Sequence, residues 1–254
     1  MLQCYCCKGG RYTLVQSVSV PIYFLSLFKV PVSIARKIEK LIRDFLWEEC
    51  EEGKGVHLVR WESVSLSRAK GGLVIGNIVA RNSALLGKWL WRFPLESELL
   101  WCSVIKSKYG IQSNGRDSKV VNRGNCCSPW KSISRLYPLV SNCLSFKVGN
   151  GENVRFWEDV WLGDISFVRS FPLLYRLAHS PNVSIALVAC SSMTPISWNF
   201  DLIRNLNDRE AGELASLLVV LEGVSLSSSS DSRVWNLVFS GVFSCKSFVE
   251  KFNV

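Results

Sequence analysis

The sequence predicts an α+β fold that is predominantly α-helical. Apolar residues recur at helical spacing through most of the first 140 residues. Runs typical of strands are short, and most lie in the second half of the chain. Hydrophobic residues make up 48% of the 254 positions, which is enough for a packed core and excludes a disordered chain. We therefore expect helices first and a small hairpin-containing module after them.

The element around which the rest is organised is a helix predicted from Pro31 to Trp47. Its apolar side is predicted to consist of Ile34, Ile38, Leu41 and Phe45, widened by Ile42 and Leu46. The other side carries three cations, Arg36, Lys40 and Arg43. Lys and Arg near phosphates release condensed counterions and so favour binding without reading sequence. This face is therefore either a phosphate contact or the solvated side of an ordinary amphipathic helix.

Helices are also predicted on both sides of this element. Gly9–Lys29 has helical spacing that Pro21 interrupts, and His57–Val59 is predicted as a short strand. A second strong helix, Ile78–Phe93, has Leu85 and Trp89 on its apolar side. Its opposite side carries Arg81, Lys88 and Arg92. The chain thus offers a second basic helical face.

Further helices follow from local signals. Leu95–Tyr109 is predicted to be helical, and its buried residues are predicted to be Leu99, Leu100, Val104 and Ile105. Ser128, Pro129 and Trp130 provide a cap, a first-turn proline and an apolar anchor for another short helix. The remaining predicted helices are Phe171–Ala178, a helix capped by Asn207 with Glu210 in the capping-box position, and Cys245–Phe252.

The segment Leu144–Phe156 predicts a β-hairpin. A two-residue Asn150-Gly151 turn would place apolar residues opposite polar ones on one face. A three-residue loop, Gly149–Gly151 with Gly151 left-handed, instead pairs Phe146 with Val154 and Leu144 with Phe156. We therefore predict the three-residue loop. Farther along, Ser225–Ser232 is predicted as a polar linker and Val234–Phe243 as a strand.

The positive charge is unevenly distributed. The net charge is +9 for the whole chain, and it divides into +3 for residues 1–60, +9 for residues 61–150 and −3 for residues 151–254. A basic surplus in the first 150 residues favours a polyanionic partner, most simply nucleic acid. A basic protein without such a partner is the alternative.

Several function classes are not favoured. The N-terminus shows no secretory signal, and the longest apolar stretch, Val18–Phe28, is too short to span a bilayer. We expect an intracellular, soluble protein without membrane association, with its ten cysteines reduced. No metal site, cofactor or catalytic residue is predicted, and the adjacent Glu158 and Asp159 are expected at a surface or cap rather than as a catalytic pair. The chain alone is not expected to be an enzyme.

Many short blocks of the sequence resemble, in order, the region after the catalytic palm of plant LINE-type (non-LTR) retrotransposon reverse transcriptases. The resemblance covers roughly residues 8–252. The blocks are Lys8–Leu14, Pro21–Pro31, Phe45–Trp47, His57–Trp61, Gly71–Leu73 with Ile75 and Asn77, Ala84–Phe93, Ser128–Lys131, Val148–Gly151, Arg155–Trp161, and Gly241–Ser244 with Lys246–Phe248.

This resemblance implies a non-catalytic fragment. The family's polymerase aspartates would precede residue 1 and its zinc ligands would follow residue 254. The implied division is a thumb-like segment (1–50), a basic helical connector (51–140), a hairpin and helix module (141–224), and a Ser-rich linker with the truncated start of a zinc-binding domain (225–254).

In the family the thumb grips the primer–template duplex, which implies RNA or an RNA–DNA hybrid as partner and a nuclear location. The candidate contacts are Arg36, Lys40, Arg43, Arg81, Lys88 and Arg92. An inert remnant and a protein-interaction module built on the tryptophan-rich C-terminal half are the alternatives, and the sequence assigns no oligomeric state.

Overall fold

The computed structural model describes residues 22–47, 59–66, 71–72, 77–122, 128–190 and 196–252. Most elements in this part are helices, and its two strands form one antiparallel sheet, so the predicted α+β, predominantly α class is confirmed. His57 and Leu58 of the predicted strand His57–Val59 and the start of the predicted helix Gly9–Lys29 lie outside the described residues, and Val59 is not in a strand. The helices are α1 (Ile22–Leu27), α2 (Val32–Trp47), α3 (Trp61–Ser65), α4 (Ile78–Leu95), α5 (Leu100–Tyr109), α6 (Pro129–Ser134), α7 (Tyr137–Ser141), α8 (Phe167–Ser170), α9 (Pro172–Leu177), α10 (Ile185–Val188), α11 (Asp208–Leu221) and α12 (Cys245–Phe252), and the strands are β1 (Leu144–Lys147) and β2 (Ser232–Trp235).

The chain divides into two compact units, each built from discontinuous segments. Unit 1 comprises Met1–Leu95, Val120–Pro138 and Phe243–Val254. Unit 2 comprises Glu96–Lys119 and Leu139–Val242. The sequential four-part division implied by the resemblance stays a prediction.

Helix α4 is the centre of unit 1. It packs against α1, α2, α6 and the C-terminal helix α12. The Phe93 ring packs at a tilt against Trp130 of α6 with 5.4 Å between ring centroids, and the Trp91 ring stacks at 6.3 Å with Phe243 just before α12. The last helix of the sequence therefore has a packing partner within unit 1.

A buried amide joins α1 to α4. The Asn82 side chain is 2% exposed, and its Nδ2 donates to the carbonyl oxygens of Leu25 and Phe28 at the end of α1. Its Oδ1 accepts from the Val30 amide at 2.9 Å. Because these groups would otherwise lie unpaired at a helix end, Asn82 fixes the turn that leads into α2.

The predicted apolar side of α2 is partly wrong. Ile34 and Leu41 are exposed by 44% and 68%, whereas Ala35 is fully buried. The buried row is Ala35, Ile38, Ile42 and Leu46, which packs against α1, α4 and α3. Apolar residues cover much of the circumference of α2, so periodicity alone does not fix the centre of its buried side.

The predicted hairpin is also wrong. Strand β1 pairs with β2, which follows much later in the chain, with Phe146 opposite Arg233 and Leu144 opposite Trp235. Gly151 does adopt the left-handed conformation, with φ of 72°. Its amide and those of Gly149 and Asn153 donate to the Asp231 carboxylate at 2.7 to 2.9 Å. The turn therefore wraps around a residue of the Ser-rich segment instead of closing a hairpin.

The Ser-rich segment is correspondingly more than a linker. The Ser227 amide donates to the Gly149 carbonyl at 2.9 Å, and a Cβ on Gly149 would lie 2.1 Å from the Ser229 carbonyl oxygen. Only glycine allows this approach. The predicted strand Val234–Phe243 is formed only as far as Trp235.

The rest of unit 2 surrounds an aromatic core. Phe156 and Trp157 are fully buried, and helices α8 to α11 contribute residues to this core. The predicted capping box at Asn207 and Glu210 is confirmed on α11. By contrast, Leu99 just before α5 and Leu100 and Val104 within it were predicted to be buried but are 48% to 80% exposed. The one residue of α5 that is buried is Cys102.

Candidate nucleic-acid interface

Helix α2 presents two exposed cations. Arg36 and Lys40 lie one turn apart on the same face, and both are exposed. Neither forms an ion pair with a carboxylate in the part of the chain that the structure describes. Their charges are thus available to an anion from solvent.

Arg43 has a different environment although it belongs to the same helical face. It is partly buried, and its guanidinium carbon lies 6.0 Å from the centroid of the Trp61 ring at the start of α3. A cation near an aromatic face is attracted by the ring quadrupole, which restrains the guanidinium. Arg43 therefore contacts an aromatic ring and is partly buried, whereas Arg36 and Lys40 are exposed.

The three cations of α4 also share one face but differ in exposure. Lys88 is exposed, whereas Arg81 is partly buried and burial lowers its pKa. The Arg92 guanidinium lies 4.9 Å from the Trp89 ring centroid. Lys88 is close to Cys245 of α12: burial raises the pKa of the Cys245 thiol, and the Lys88 ammonium partly offsets this effect. Of the three cations of α4, Lys88 is thus the one whose side chain is exposed to solvent.

Helices α2 and α4 are joined by a shared core and one hydrogen bond. Ala35, Ile38 and Ile42 of α2 pack in the same cluster as Ile78, Val79 and Leu85 of α4. The Glu39 carboxylate accepts from the Ile78 amide at 2.7 Å, and Asn77 accepts from the Ala80 amide. Two amide donors at the α4 N-terminus are thereby satisfied.

The arrangement can bind anions but shows no catalytic constellation. The candidate side chains are Lys and Arg, which donate hydrogen bonds and carry charge but supply no carboxylate, imidazole or nucleophile. Within the described ranges, no group of three or more His, Cys, Asp or Glu residues could hold a metal ion. No helix described there is both long and apolar enough to cross a bilayer.

Unit 2 contains cations that sequence reasoning did not single out, and these are buried in ion pairs. Arg116 and Arg155 bind Asp159 at 3.0 and 3.1 Å, and Arg233 binds Asp117. The predicted surface or cap role of Asp159 is wrong, because its side chain is 6% exposed and lies between two arginines. Glu158 remains partly exposed, where it binds Arg155 and accepts from the Tyr175 hydroxyl.

Two Arabidopsis thaliana proteins are similar to this chain. One bears the name "Putative ribonuclease H protein" and is 32% identical over 252 residues, which are 97% of this chain and 39% of that protein. The other, an uncharacterized mitochondrial protein, is 26% identical over 148 residues, which are 58% of this chain and 95% of its own length. No family model matches the chain, and no solved structure matches it significantly.

These two relatives support the predicted similarity to plant proteins in general terms. The relatives come from a plant, and one is named for a ribonuclease H. The chain spans about two fifths of the length of that relative.

Proposed function

We propose that this chain is the thumb and connector region of a plant LINE-type retrotransposon reverse transcriptase, and that it binds RNA or an RNA–DNA hybrid through phosphate contacts. The proposed contacts are Arg36, Lys40, Arg43, Arg81, Lys88 and Arg92. Binding would be independent of sequence, because all six side chains would meet the backbone rather than the bases. The proposed role implies a nuclear location.

The observation that carries this proposal is the exposure of Arg36, Lys40 and Lys88 on two helices that share a core. None of the three forms an ion pair within the described part of the chain. Cations that lack a protein partner keep their full charge for a polyanion and release its counterions on binding. The remaining three cations would add contacts once the backbone is docked.

The relative named for a ribonuclease H supports the same partner. A ribonuclease H cleaves the RNA strand of an RNA–DNA hybrid, and a polypeptide with that activity gains from a region that holds the hybrid. The similarity extends over 97% of this chain. Within this proposal the chain binds rather than catalyses, because the six candidate residues include no nucleophile and no general acid–base pair.

Charge reversal of α2 tests the proposal. We expect the triple variant Arg36→Glu, Lys40→Glu and Arg43→Glu to bind an RNA–DNA hybrid more weakly than wild type at every sequence tested. The slope of log affinity against log salt should fall in magnitude by about 2 to 3, since each phosphate contact contributes about 0.9 on a B-form duplex. Fluorescence anisotropy across a salt series measures both quantities.

A matched control is available in unit 2. Arg169, Arg176 and Arg209 are exposed, and replacing all three by Glu changes the net charge by the same amount. We expect this control to retain most of the wild-type affinity and slope. Equal losses in both triple variants would show that net charge alone governs binding and would remove α2 from the proposal.

The protein-interaction alternative has less structural support. Trp157 and Trp235, two of the tryptophans in the C-terminal half, are fully buried in unit 2 and are therefore not available to a partner. Concentration-dependent self-association of the folded chain, without polyanion binding, would favour that alternative. A folded monomer indifferent to polyanions would favour an inert remnant.

A further inference from the structure

Several buried N–H donors have no acceptor in the part of the chain that the structure describes, and two of them lie on neighbouring side chains of unit 1. These two are Nε of Arg43 on α2 and the indole Nε1 of Trp61 at the start of α3. Burying a donor without an acceptor costs free energy, and native proteins pair nearly all such groups. Two unpaired donors on neighbouring side chains therefore call for an acceptor that the described residues do not supply.

The two side chains are held together on a packed base. The Arg43 guanidinium carbon lies 6.0 Å from the Trp61 ring centroid. Trp61 packs with Ile42, Leu46 and Val64 in the small core between α2 and α3. Both side chains are only partly buried as whole residues, so the pair lies at the edge of this core. An incoming group would meet a guanidinium whose position is already restrained.

The chemistry of the two donors indicates which kind of acceptor they would bind. Arginine and the indole ring donate hydrogen bonds and accept none, so a donor, a cation or an apolar group would leave both unpaired. Arg43 forms no ion pair with a carboxylate of the described residues. A guanidinium matches two oxygens of one phosphate, and charge-assisted hydrogen bonds of this kind are stronger than neutral ones.

We infer that Arg43 and Trp61 form a phosphate-binding pair, in which both N–H groups donate to the oxygens of one backbone phosphodiester. This inference rests on the proposed function and adds Trp61 as a contact residue. It also gives Arg43 a role that differs from those of Arg36 and Lys40, which contribute charge from exposed positions. Binding at the pair depends on the directions of its N–H bonds and not on charge alone.

Substitutions that preserve charge separate the two modes of binding. Trp61→Phe keeps an aromatic face beside Arg43 but removes the indole donor, and Arg43→Lys keeps the charge but removes Nε and the planar fork. Each should weaken hybrid binding by about tenfold, the loss expected for one charge-assisted hydrogen bond. The salt slope should stay as in wild type, because neither variant changes the number of charges.

Matched controls use the same substitutions elsewhere. Arg36→Lys alters an exposed arginine of the same helix, and Trp101→Phe alters a partly buried tryptophan of unit 2. Both should bind the hybrid within twofold of wild type. Thermal unfolding without ligand provides a second readout: Trp61→Phe removes an unpaired donor, so it should lower Tm no more than Trp101→Phe, which loses a hydrogen bond to Glu96.

The outcomes distinguish this inference from the proposed function. If wild type binds the hybrid while Trp61→Phe and Arg43→Lys bind within twofold of it, the phosphate-binding pair is overturned and the proposed function stands. If wild type does not bind the hybrid even at low salt, the proposed function fails. In that case inorganic phosphate is added in the thermal unfolding assay: a rise in Tm that requires both Arg43 and Trp61 would assign the pair to a free phosphate, and no rise would overturn it.

Discussion

Three arginines of unit 2 lie in an environment opposite to that of Arg36 in unit 1. In unit 2, Arg116, Arg155 and Arg233 are 5% to 14% exposed and bind buried carboxylates. In unit 1, Arg36 is exposed and has no carboxylate partner among the described residues. A count of basic residues therefore overstates the charge that a polyanion can reach, and the carboxylates around each arginine decide its role.

The charge network of unit 2 also connects distant parts of the chain. Asp117 lies in the loop after α5, and Arg233 lies on β2. The Arg116 guanidinium carbon sits 4.1 Å from the Phe146 ring centroid on β1. Burial alone would raise the pKa of Asp117, but Arg233 and Arg116 outweigh burial and hold this pKa below its ordinary value of 3.8. The buried carboxylates of unit 2 thus hold these arginines in ion pairs.

The substitution with the largest expected effect is Asp117→Asn. It leaves Arg233 buried without its charge partner, and breaking a buried pair in this way costs about 3 to 5 kcal/mol. Urea unfolding of purified protein measures the change in the free energy of unfolding. Asp164→Asn, at an exposed carboxylate, is the control and should stay within about 0.5 kcal/mol of wild type. A similarly small effect for Asp117→Asn would contradict the contrast between the units.

Asp231→Ala should have the next largest effect. The substitution removes the acceptor of three backbone amides in the Gly149–Asn153 turn. Hydrogen bonds to a charged group contribute about 1.5 to 3 kcal/mol each, and water can replace part of this in a partly exposed turn, so we expect a net loss of about 3 kcal/mol. Hydrogen exchange of those amides should accelerate. Unchanged exchange would show that Asp231 does not hold the turn.

A pH dependence of smaller size follows from Asp117. Its pKa is lower in the folded protein than in an unfolded chain. The carboxylate therefore stabilises the fold above about pH 4, near the pKa of an unfolded aspartate. This contribution is lost as the pH falls through the folded-state pKa. Urea unfolding at a series of acidic pH values should show the loss in wild type, and a flatter profile in Asp117→Asn.

The smallest of these effects is expected for Asn207→Ala. The Asn207 side chain accepts from the Glu210 amide, and the Glu210 carboxylate accepts from the Asn207 amide. Loss of an N-cap side chain costs about 1 kcal/mol. Urea unfolding should show this loss, whereas Ser184→Ala, at a helix start without a side-chain cap bond, should change stability less. A larger loss for Ser184→Ala would contradict the assignment of the cap.

Local signals made part of the fold predictable. The capping box at Asn207 and Glu210 occupies four consecutive residues. The predicted helix starting at Pro129 is also present, with Trp130 buried, although the Ser128 side chain forms no cap hydrogen bond. The helices predicted at Ile78–Phe93 and Cys245–Phe252 are also present. Each depends on neighbours within a few turns, which a single sequence displays.

Elements that depend on distant partners were not predictable in the same way. The alternation of Leu144 and Phe146 favours a strand but does not identify its partner, which is β2 and not the adjacent Val154. Gly151 signalled a left-handed turn, yet the residue inside that turn is Asp231. Pattern and turn chemistry describe one strand at a time, whereas the pairing depends on the whole fold.

At the candidate site, too, local features were predictable from the sequence and features that depend on distant residues were not. Helical spacing placed Arg36, Lys40 and Arg43 on one face of α2, but it could not show that Trp61 restrains Arg43. The spacing of Arg81, Lys88 and Arg92 likewise gave no sign that Arg81 is partly buried or that Arg92 stacks on Trp89. Charge is visible in a sequence, while burial and pairing require the packed structure.

The salt dependence of wild-type binding to an RNA–DNA hybrid tests the central claim most directly. The claim is that the cations of unit 1 are available to phosphates. Fluorescence anisotropy at increasing salt should give an affinity that falls steeply and linearly on a log–log plot, with a slope that corresponds to several phosphate contacts. A folded sample that shows no binding at low salt, or an affinity independent of salt, would contradict it.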